Sequence, residues 1–414
     1  MYDEKNNTDS NLRPLRWLHI SDIHLGDSDW DVWMSTANAF LNSISQQVSE
    51  HQFTPDVIFI TGDLTLSATP EQFDKFKLFI DQIYDAIGTT LPVITVPGNH
   101  DLSRPDMEKT TNFKFNQLKE YSNQEDTEEV SCIKRELWEE ANAEYIEPLF
   151  TSYQSFFNAH IKPTLNLPGI TFKPSFFPGD IKVELALKGC VPVTIIGLNS
   201  SWLQYNGDNY QGKLCVHPKQ FTHLFNSTEL KDFDQCHSLL LMHHPVSWLH
   251  EPAQQEFEKS IYQPNSFNAC FHGHMHETRT VHVSNGNGNR HYFQSPSLLG
   301  IEGYGSKHEE RQIGYTLGEL NSDGDIIVWP YKQAKRDNFF HFDNSVVENT
   351  NEQTGIEIRF AKDLEKQKVN AHNSASRTDE KQEESPKPEA KEDVNKQTEP
   401  NDEKQQSQTK DTSN

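Results

Sequence analysis

Short apolar runs that end in polar turns set the rhythm of this chain. Leu15–Ile20 (LRWLHI) has the length and make-up of a buried strand and runs straight into Ser21-Asp22-Ile23-His24. Trp30–Ser49 then carries Trp33, Ala37, Phe40, Leu41, Ile44 and Val48 at helical spacing. A second strand is predicted over Asp56–Thr61 and ends in Gly62-Asp63. A second helix over Glu71–Ile87 puts Phe73, Phe76, Phe79, Ile80 and Ile83 on one side, and a third strand, Leu91–Val96, turns through Pro97-Gly98 into Asn99-His100-Asp101. Alternation of this kind predicts an α/β layered fold with ligands gathered at the C-terminal ends of strands.

The alternation stops after Asp101. Residues 105–161 are charged and helical in pattern, with a wide aromatic face that includes Trp138, Tyr153, Phe156 and Phe157, and 163–178 is rich in proline and aromatics. The stretch 102–180 therefore reads as an inserted helical cap. Strands resume over Ile181–Leu187, Val193–Leu198, Ser238–Met242 and Ala269–His272, with a helix over His217–Phe225. Arg290–Ser295 and Ile313–Leu320 follow, and Asn321–Asp325 turns the chain into Ile326–Tyr331. The expected organisation is a polar extension over 1–13, one domain over 14–342 with the cap inside it, and a polar tail over 343–414. Past Phe360 the tail has no aromatic residue, too little apolar surface to offset its ordering entropy.

Composition narrows the classes. The 414-residue chain is 34% hydrophobic, low for a globular protein partly because of that tail. A formal net charge of -24 opposes a broad nucleic-acid-binding face or attraction to anionic lipid. It leaves a phosphate substrate open, because bound cations can reverse the local sign. The five cysteines, Cys132, Cys190, Cys215, Cys236 and Cys270, show no CxxC spacing, which argues against a disulfide framework or a thiolate zinc site. The polar start lacks a signal-peptide core, and no apolar run approaches the length needed to span a bilayer. The expectation is a cytoplasmic protein without membrane insertion.

The strand ends carry the chemistry. Asp22-Ile23-His24, Gly62-Asp63, Gly98-Asn99-His100-Asp101, His243-His244-Pro245 and Gly273-His274-Met275-His276 each follow an apolar run. Asp22 and His24, two apart in extended chain, can point to one side. Asp63 can bridge two metals, Asn99 offers a neutral oxygen, and three more imidazoles come from His243, His274 and His276. Rich in nitrogen and oxygen and free of sulfur, the set suits manganese, iron, zinc or cobalt better than copper(I) or an iron–sulfur cluster. One segment alone means little, and Gly-Asp after a strand commonly marks a turn; the five in this order point to two adjacent metal ions.

In these segments the chain resembles the calcineurin-like metallophosphoesterase superfamily, and the Gly-Asn-His-Asp and His-His-Pro forms are most similar to its cyclic-nucleotide phosphodiesterase-like branch. That resemblance implies a four-layer α/β/β/α sandwich. It also implies one metal held by Asp22, His24, Asp63 and His276 and another by Asp63, Asn99, His243 and His274. His243 rather than His244 is the implied ligand of the His-His-Pro segment. His100 matches the family's non-ligand histidine, with Asp101 placed to orient it. The implied activity is a metal-dependent phosphohydrolase, in particular a phosphodiesterase, whose metal-bridging hydroxide attacks phosphorus in line while His100 protonates the leaving oxygen. Two alternatives stay open: a nuclease acting on short or single-stranded nucleic acid, and a non-catalytic scaffold or effector module of a larger assembly. The expected partner is a phosphoester substrate, with nucleotides among the options, and no protein partner is indicated.

Overall fold

The computed structural model of the chain describes residues 12–26, 30–105, 118, 120–121, 128–140, 143–144, 146–285, 288–299, 312–334, 338–346 and 354–359. In chain order the elements that position the site are β1 (Leu15–Ile20), α1 (Trp30–Ser49), β2 (Val57–Thr61), α2 (Pro70–Ile87), β3 (Val93–Val96), α3 (Glu128–Trp138) and α4 (Thr151–Phe156). β4 (Ile170–Pro174), β5 (Ile181–Leu185), β6 (Val193–Gly197), α5 (Pro218–Thr222), α6 (Ser227–Asp232), β7 (Ser238–Leu241) and α7 (Glu251–Ser260) follow. The chain continues through β8 (Ala269–His272), β9 (Arg279–Asn285), β10 (Gly288–Gln294), β11 (Gly314–Leu320), β12 (Ile326–Gln333), β13 (Phe340–Phe342) and β14 (Ile356–Ile358).

Two seven-stranded mixed sheets result. One runs β13-β12-β11-β1-β2-β3 with β14 also paired to β12, and the other runs β4-β5-β6-β7-β8-β10-β9. β1, β2 and β3 are parallel in the first sheet, and β6, β7 and β8 are parallel in the second. The parallel strands are buried on both faces and read as continuous apolar runs, as parallel strands covered by other layers must. Between the sheets, Phe271 of β8 meets Trp17 of β1 edge-on at 5.5 Å and lies 6.2 Å from Phe59 of β2. Such ring pairs add about 1 kcal/mol beyond their area burial. Outside the first sheet, Phe40 of α1 packs 5.9 Å from Phe79 of α2 and 5.2 Å from Tyr315 of β11. The arrangement is the four-layer sandwich.

Local chemistry sets the helix limits. α2 starts one residue earlier than the pattern predicts because Thr69 caps it, accepting from Gln72 N at 3.3 Å, and Pro70 sits in the first turn. It stops at Gly88, whose φ of +83° suits a left-handed cap.

Two organisational expectations change. Within 102–180, the part from Glu147 onward belongs to the body of the fold. Phe156 stacks on Phe73 of α2 at 5.2 Å, Tyr153 Oη donates to Thr95 O at 3.2 Å, and β4 is an edge strand of the second sheet. The aromatic face that suggested a cap is thus the inner surface of an outer layer. The tail boundary at Asp343 is too early: Ile356 and Ile358 are buried and pair with Val328 and Ile326. Residues 360–414 of the expected tail lie outside the described residues. Among the described residues, no helix is long and apolar enough to cross a membrane.

Candidate metal centre

The strand ends that carry the polar segments meet at one edge of the sandwich. The turns after β1 and β2 run side by side: Asp22 N donates to Gly62 O at 3.1 Å, and His24 N donates to Asp63 O at 2.9 Å. Gly98 follows β3 so closely that a Cβ there would overlap the Asp63 carboxylate, and at Gly273 it would overlap Ser21 Oγ and the Asp22 carboxylate. Glycine at these two positions lets backbone from one turn reach the carboxylate of another.

Asp22, His24, Asp63, Asn99, His243, His274 and His276 converge. His276 Nε2 lies 3.1 Å from Asp22 Oδ1 and 3.3 Å from His24 Nε2, and His24 Nε2 lies 3.6 Å from Asp63 Oδ2. On the other side of Asp63, His243 Nε2 is 3.3 Å from Asp63 Oδ2, 3.1 Å from Asn99 Oδ1 and 3.2 Å from His274 Nδ1. Metal-competent groups therefore form about both Asp22–His24–His276 and Asp22–Asp63–His243. Ring nitrogens facing each other and a carboxylate across 3.1–3.6 Å suit a cation between them better than hydrogen bonding among themselves. This donor set fits the implied pair of metals.

Electrostatics agree. Burial alone would raise the Asp63 carboxyl, but His243, His100 and His24 hold it well below the usual range. Burial likewise opposes the fall of Asp22 to about 2, which His276 and His243 produce. Burial would also lower His243, yet the Asp63 charge and hydrogen bond bring it up to about 9. Burial lowers His24 to about 3. The cluster favours anionic carboxylates and calls for positive charge among them.

Backbone conformation marks the same residues. Asp22, His24, Asp63, His274 and His276 have φ between +49° and +72°, five of the nine non-glycine residues with positive φ among those described. Such conformations cost of order 1 kcal/mol each and persist where the surroundings over-determine them. Here the parallel pairing of the turns and the Asp22 carboxylate, which accepts from His274 N at 2.9 Å, supply that determination.

His100 stands beside the cluster, its ring 4.7 Å from that of His24, edge to face. Asp101 does not orient it, contrary to the expectation. His100 Nδ1 lies 2.8 Å from Leu66 O, whereas the Asp101 carboxylate accepts from Gly98 N at 2.9 Å, Thr65 N at 3.0 Å and Leu64 N at 3.2 Å. Asp101 thus clamps the turn after β2 to the turn after β3. Asp101→Asn should cost about 2–4 kcal/mol, since an amide NH2 would face those backbone donors. A denaturant melt that leaves stability unchanged would refute the clamp.

His244 shares a metal-competent group with His243 and His274, yet both of its ring nitrogens have polar partners. Its Nδ1 lies 3.0 Å from Ser200 Oγ, its Nε2 lies 2.9 Å from Gln204 Oε1, and its ring packs 4.3 Å from His274. Several contacts escape sequence reasoning. Thr61 O accepts from His243 Nδ1 at 2.7 Å, Trp248 packs edge-on to His274 at 4.0 Å, and Arg104 reaches Asn99 O at 3.4 Å. A backbone carbonyl carries no sequence signal, and neither Trp248 nor Arg104 belongs to one of the five segments.

Comparison with known proteins bears on this geometry. The family model for calcineurin-like phosphoesterase matches residues 15–278. A UDP-2,3-diacylglucosamine pyrophosphatase of Chlamydia muridarum is 28% identical over 138 residues, 33% of this chain and 38% of that protein. A cAMP/cGMP dual specificity phosphodiesterase of Mycobacterium tuberculosis is 32% identical over 85 residues, 20% of this chain and 26% of that protein. The matches thus span well under half the length of these relatives. A crystal structure of a dimetal phosphatase from Danio rerio aligns over 80% of this chain and 99% of that chain, at 11% identity and a TM-score of 0.37.

Proposed function

The chain belongs to the calcineurin-like phosphoesterase family, and we propose that it is a hydrolase of phosphodiesters using two metal ions. The observation that carries this reading is the pair of adjoining donor groups, Asp22–His24–His276 and Asp22–Asp63–His243, with the His100 ring at their edge. The relative named as a phosphodiesterase supports a diester substrate, and the one named as a pyrophosphatase, which acts on a phosphoanhydride, supports hydrolysis at phosphorus more broadly. Asp22, His24, Asp63 and His276 would hold one ion, and Asp63, Asn99, His243 and His274 the other. When bound, such ions lower the pKa of water and neutralise charge that develops on phosphorus. Manganese, iron and zinc all fit a nitrogen- and oxygen-rich set.

The chain's own residues divide the remaining work. Leu66 O faces Nδ1 of His100 and fixes the proton there, which leaves Nε2 as the nitrogen that can take up and release one. Held near the centre, that nitrogen would stabilise the oxygen leaving phosphorus and deliver a proton to it. Asp22 and Asp63 orient the surrounding imidazoles, and Ser200 and Gln204 hold His244 behind His274.

Purified protein supplied with manganese should hydrolyse bis(p-nitrophenyl) phosphate at least about tenfold faster than p-nitrophenyl phosphate. Chelation should remove all but about 1% of that rate, and added manganese should restore it. No turnover by protein carrying two metal ions per chain would sink the reading. A faster monoester reaction would redirect it to a phosphatase.

A further inference from the structure

Apart from the metal centre, a cavity of about 580 Å3 opens between α3, the turn into α5 and the start of α7. It has the size of a small-molecule site. Two histidines line it, and both have a fixed hydrogen-bonding role. His217 Nδ1 accepts from Lys219 N at 3.2 Å, capping α5, and His250 Nδ1 accepts from Ala253 N at 3.1 Å, capping α7. A backbone N–H can only donate, so each Nδ1 is the bare nitrogen and each Nε2 carries the proton. Burial lowers both histidines to about 4, so these are neutral rings at pH 7. Neither Nε2–H has a protein acceptor among the described residues.

The rest of the lining has the same character. Lys134, Arg135 and Lys219 border the cavity against Glu139 and Glu256, a net lining charge of +1 (three minus two) in a chain whose total is -24. Glu256 Oε1 already accepts from Ser260 Oγ at 2.6 Å. The apolar walls are flat: Trp138 stacks on His217 at 4.0 Å and 7°, and Tyr121 carries Lys134 5.6 Å above its ring. Trp138 Nε1 also reaches Tyr121 Oη at 3.3 Å, so the two rings hold each other in place.

We infer that this cavity binds a small aromatic anion, its charged end taken by the Nε2–H groups of His217 and His250 with Lys134 and its ring lying against the aromatic wall. The site is independent of the metal centre and of the activity proposed for it. Neutral N–H donors backed by a lysine suit an oxyanion, and a rigid aromatic wall holds a planar body at little entropic cost.

The test is a calorimetric titration of naphthalene-1-sulfonate, a weak metal ligand, into the full-length, metal-loaded chain. Sulfate alone serves as the ring-free arm. The variants are His217→Asn, His250→Asn and Lys134→Gln. Asparagine keeps a side-chain oxygen to cap the helix and removes the Nε2 donor. Each histidine variant should weaken binding at least about tenfold with little change in melting temperature, the loss of one hydrogen bond to a charged group. Lys134→Gln, which touches no cap, should weaken it several-fold and stays decisive if a histidine variant proves unstable. Sulfate should bind far more weakly than the aromatic sulfonate. Unchanged affinity in all three variants, sulfate binding as well as the aromatic probe, or no binding below about 10 mM would overturn the inference.

Discussion

Replacing Asp63 with asparagine is expected to cost the centre at least one metal ion and to lower phosphodiester turnover by at least about 1,000-fold. The size of the effect follows from where Asp63 stands. Its Oδ2 faces His24 Nε2 at 3.6 Å on one side and His243 Nε2 at 3.3 Å on the other, so the variant removes an oxygen that faces both sides of the cluster. Asparagine is close in shape, and its side-chain oxygen can still accept from His100 N, which Asp63 Oδ1 does at 2.8 Å. The turn should therefore keep its path while the charge disappears. That charge is what raises His243 against its own burial, and without it the cluster calls less strongly for a cation. Metal content by mass spectrometry should fall from two ions per chain to one or fewer, with the circular dichroism spectrum preserved. Two retained ions with near-normal turnover would remove Asp63 from its bridging role.

Much of this architecture is legible in the amino-acid sequence because buried parallel strands leave no choice of residue. Leu15–Ile20 and Ala269–His272 are short, mainly apolar runs, and the observed strands have those same limits. Helix Trp30–Ser49 is equally plain, since Ala37, Phe40 and Ile44 must all face the core. Edge strands are less legible because solvent makes fewer demands. Among the described residues β9 (RTVHVSN), a largely polar strand, pairs only with β10, and β4 ends in a proline that an edge tolerates. β14 has just two buried positions, Ile356 and Ile358, in a stretch otherwise polar enough to read as tail. At the site, residue types are visible but their directions are not. Asp101 next to His100 suggests a pair, yet backbone N–H groups from Leu64, Thr65 and Gly98 claim its carboxylate. No sequence pattern announces that, because every residue other than proline has such an N–H. The positive φ of Asp22, Asp63 and His274 is hidden for the same reason, as it arises from the convergence of turns distant in sequence.

His100→Asn is expected to separate catalysis from metal holding. His100, His24 and Asp63 come close enough to form a further metal-competent group, so proximity alone permits His100 to be a ligand. Its Nδ1 argues for a different role. That nitrogen is committed to Leu66 O at 2.8 Å, and a ring held by a backbone carbonyl keeps its direction whether or not Nε2 carries a proton. A proton donor to a departing oxygen needs that property, because it must reset without moving. The variant should retain both metal ions while its rate falls about 100-fold or more for an alkyl leaving group. The fall should be much smaller for p-nitrophenolate, which departs without a proton. A plot of log kcat against leaving-group pKa should therefore be steeper for the variant than for the parent. Parallel lines together with a lost ion would make His100 a ligand. Parallel lines with both ions retained would make it an electrostatic support for the phosphoryl group rather than an acid.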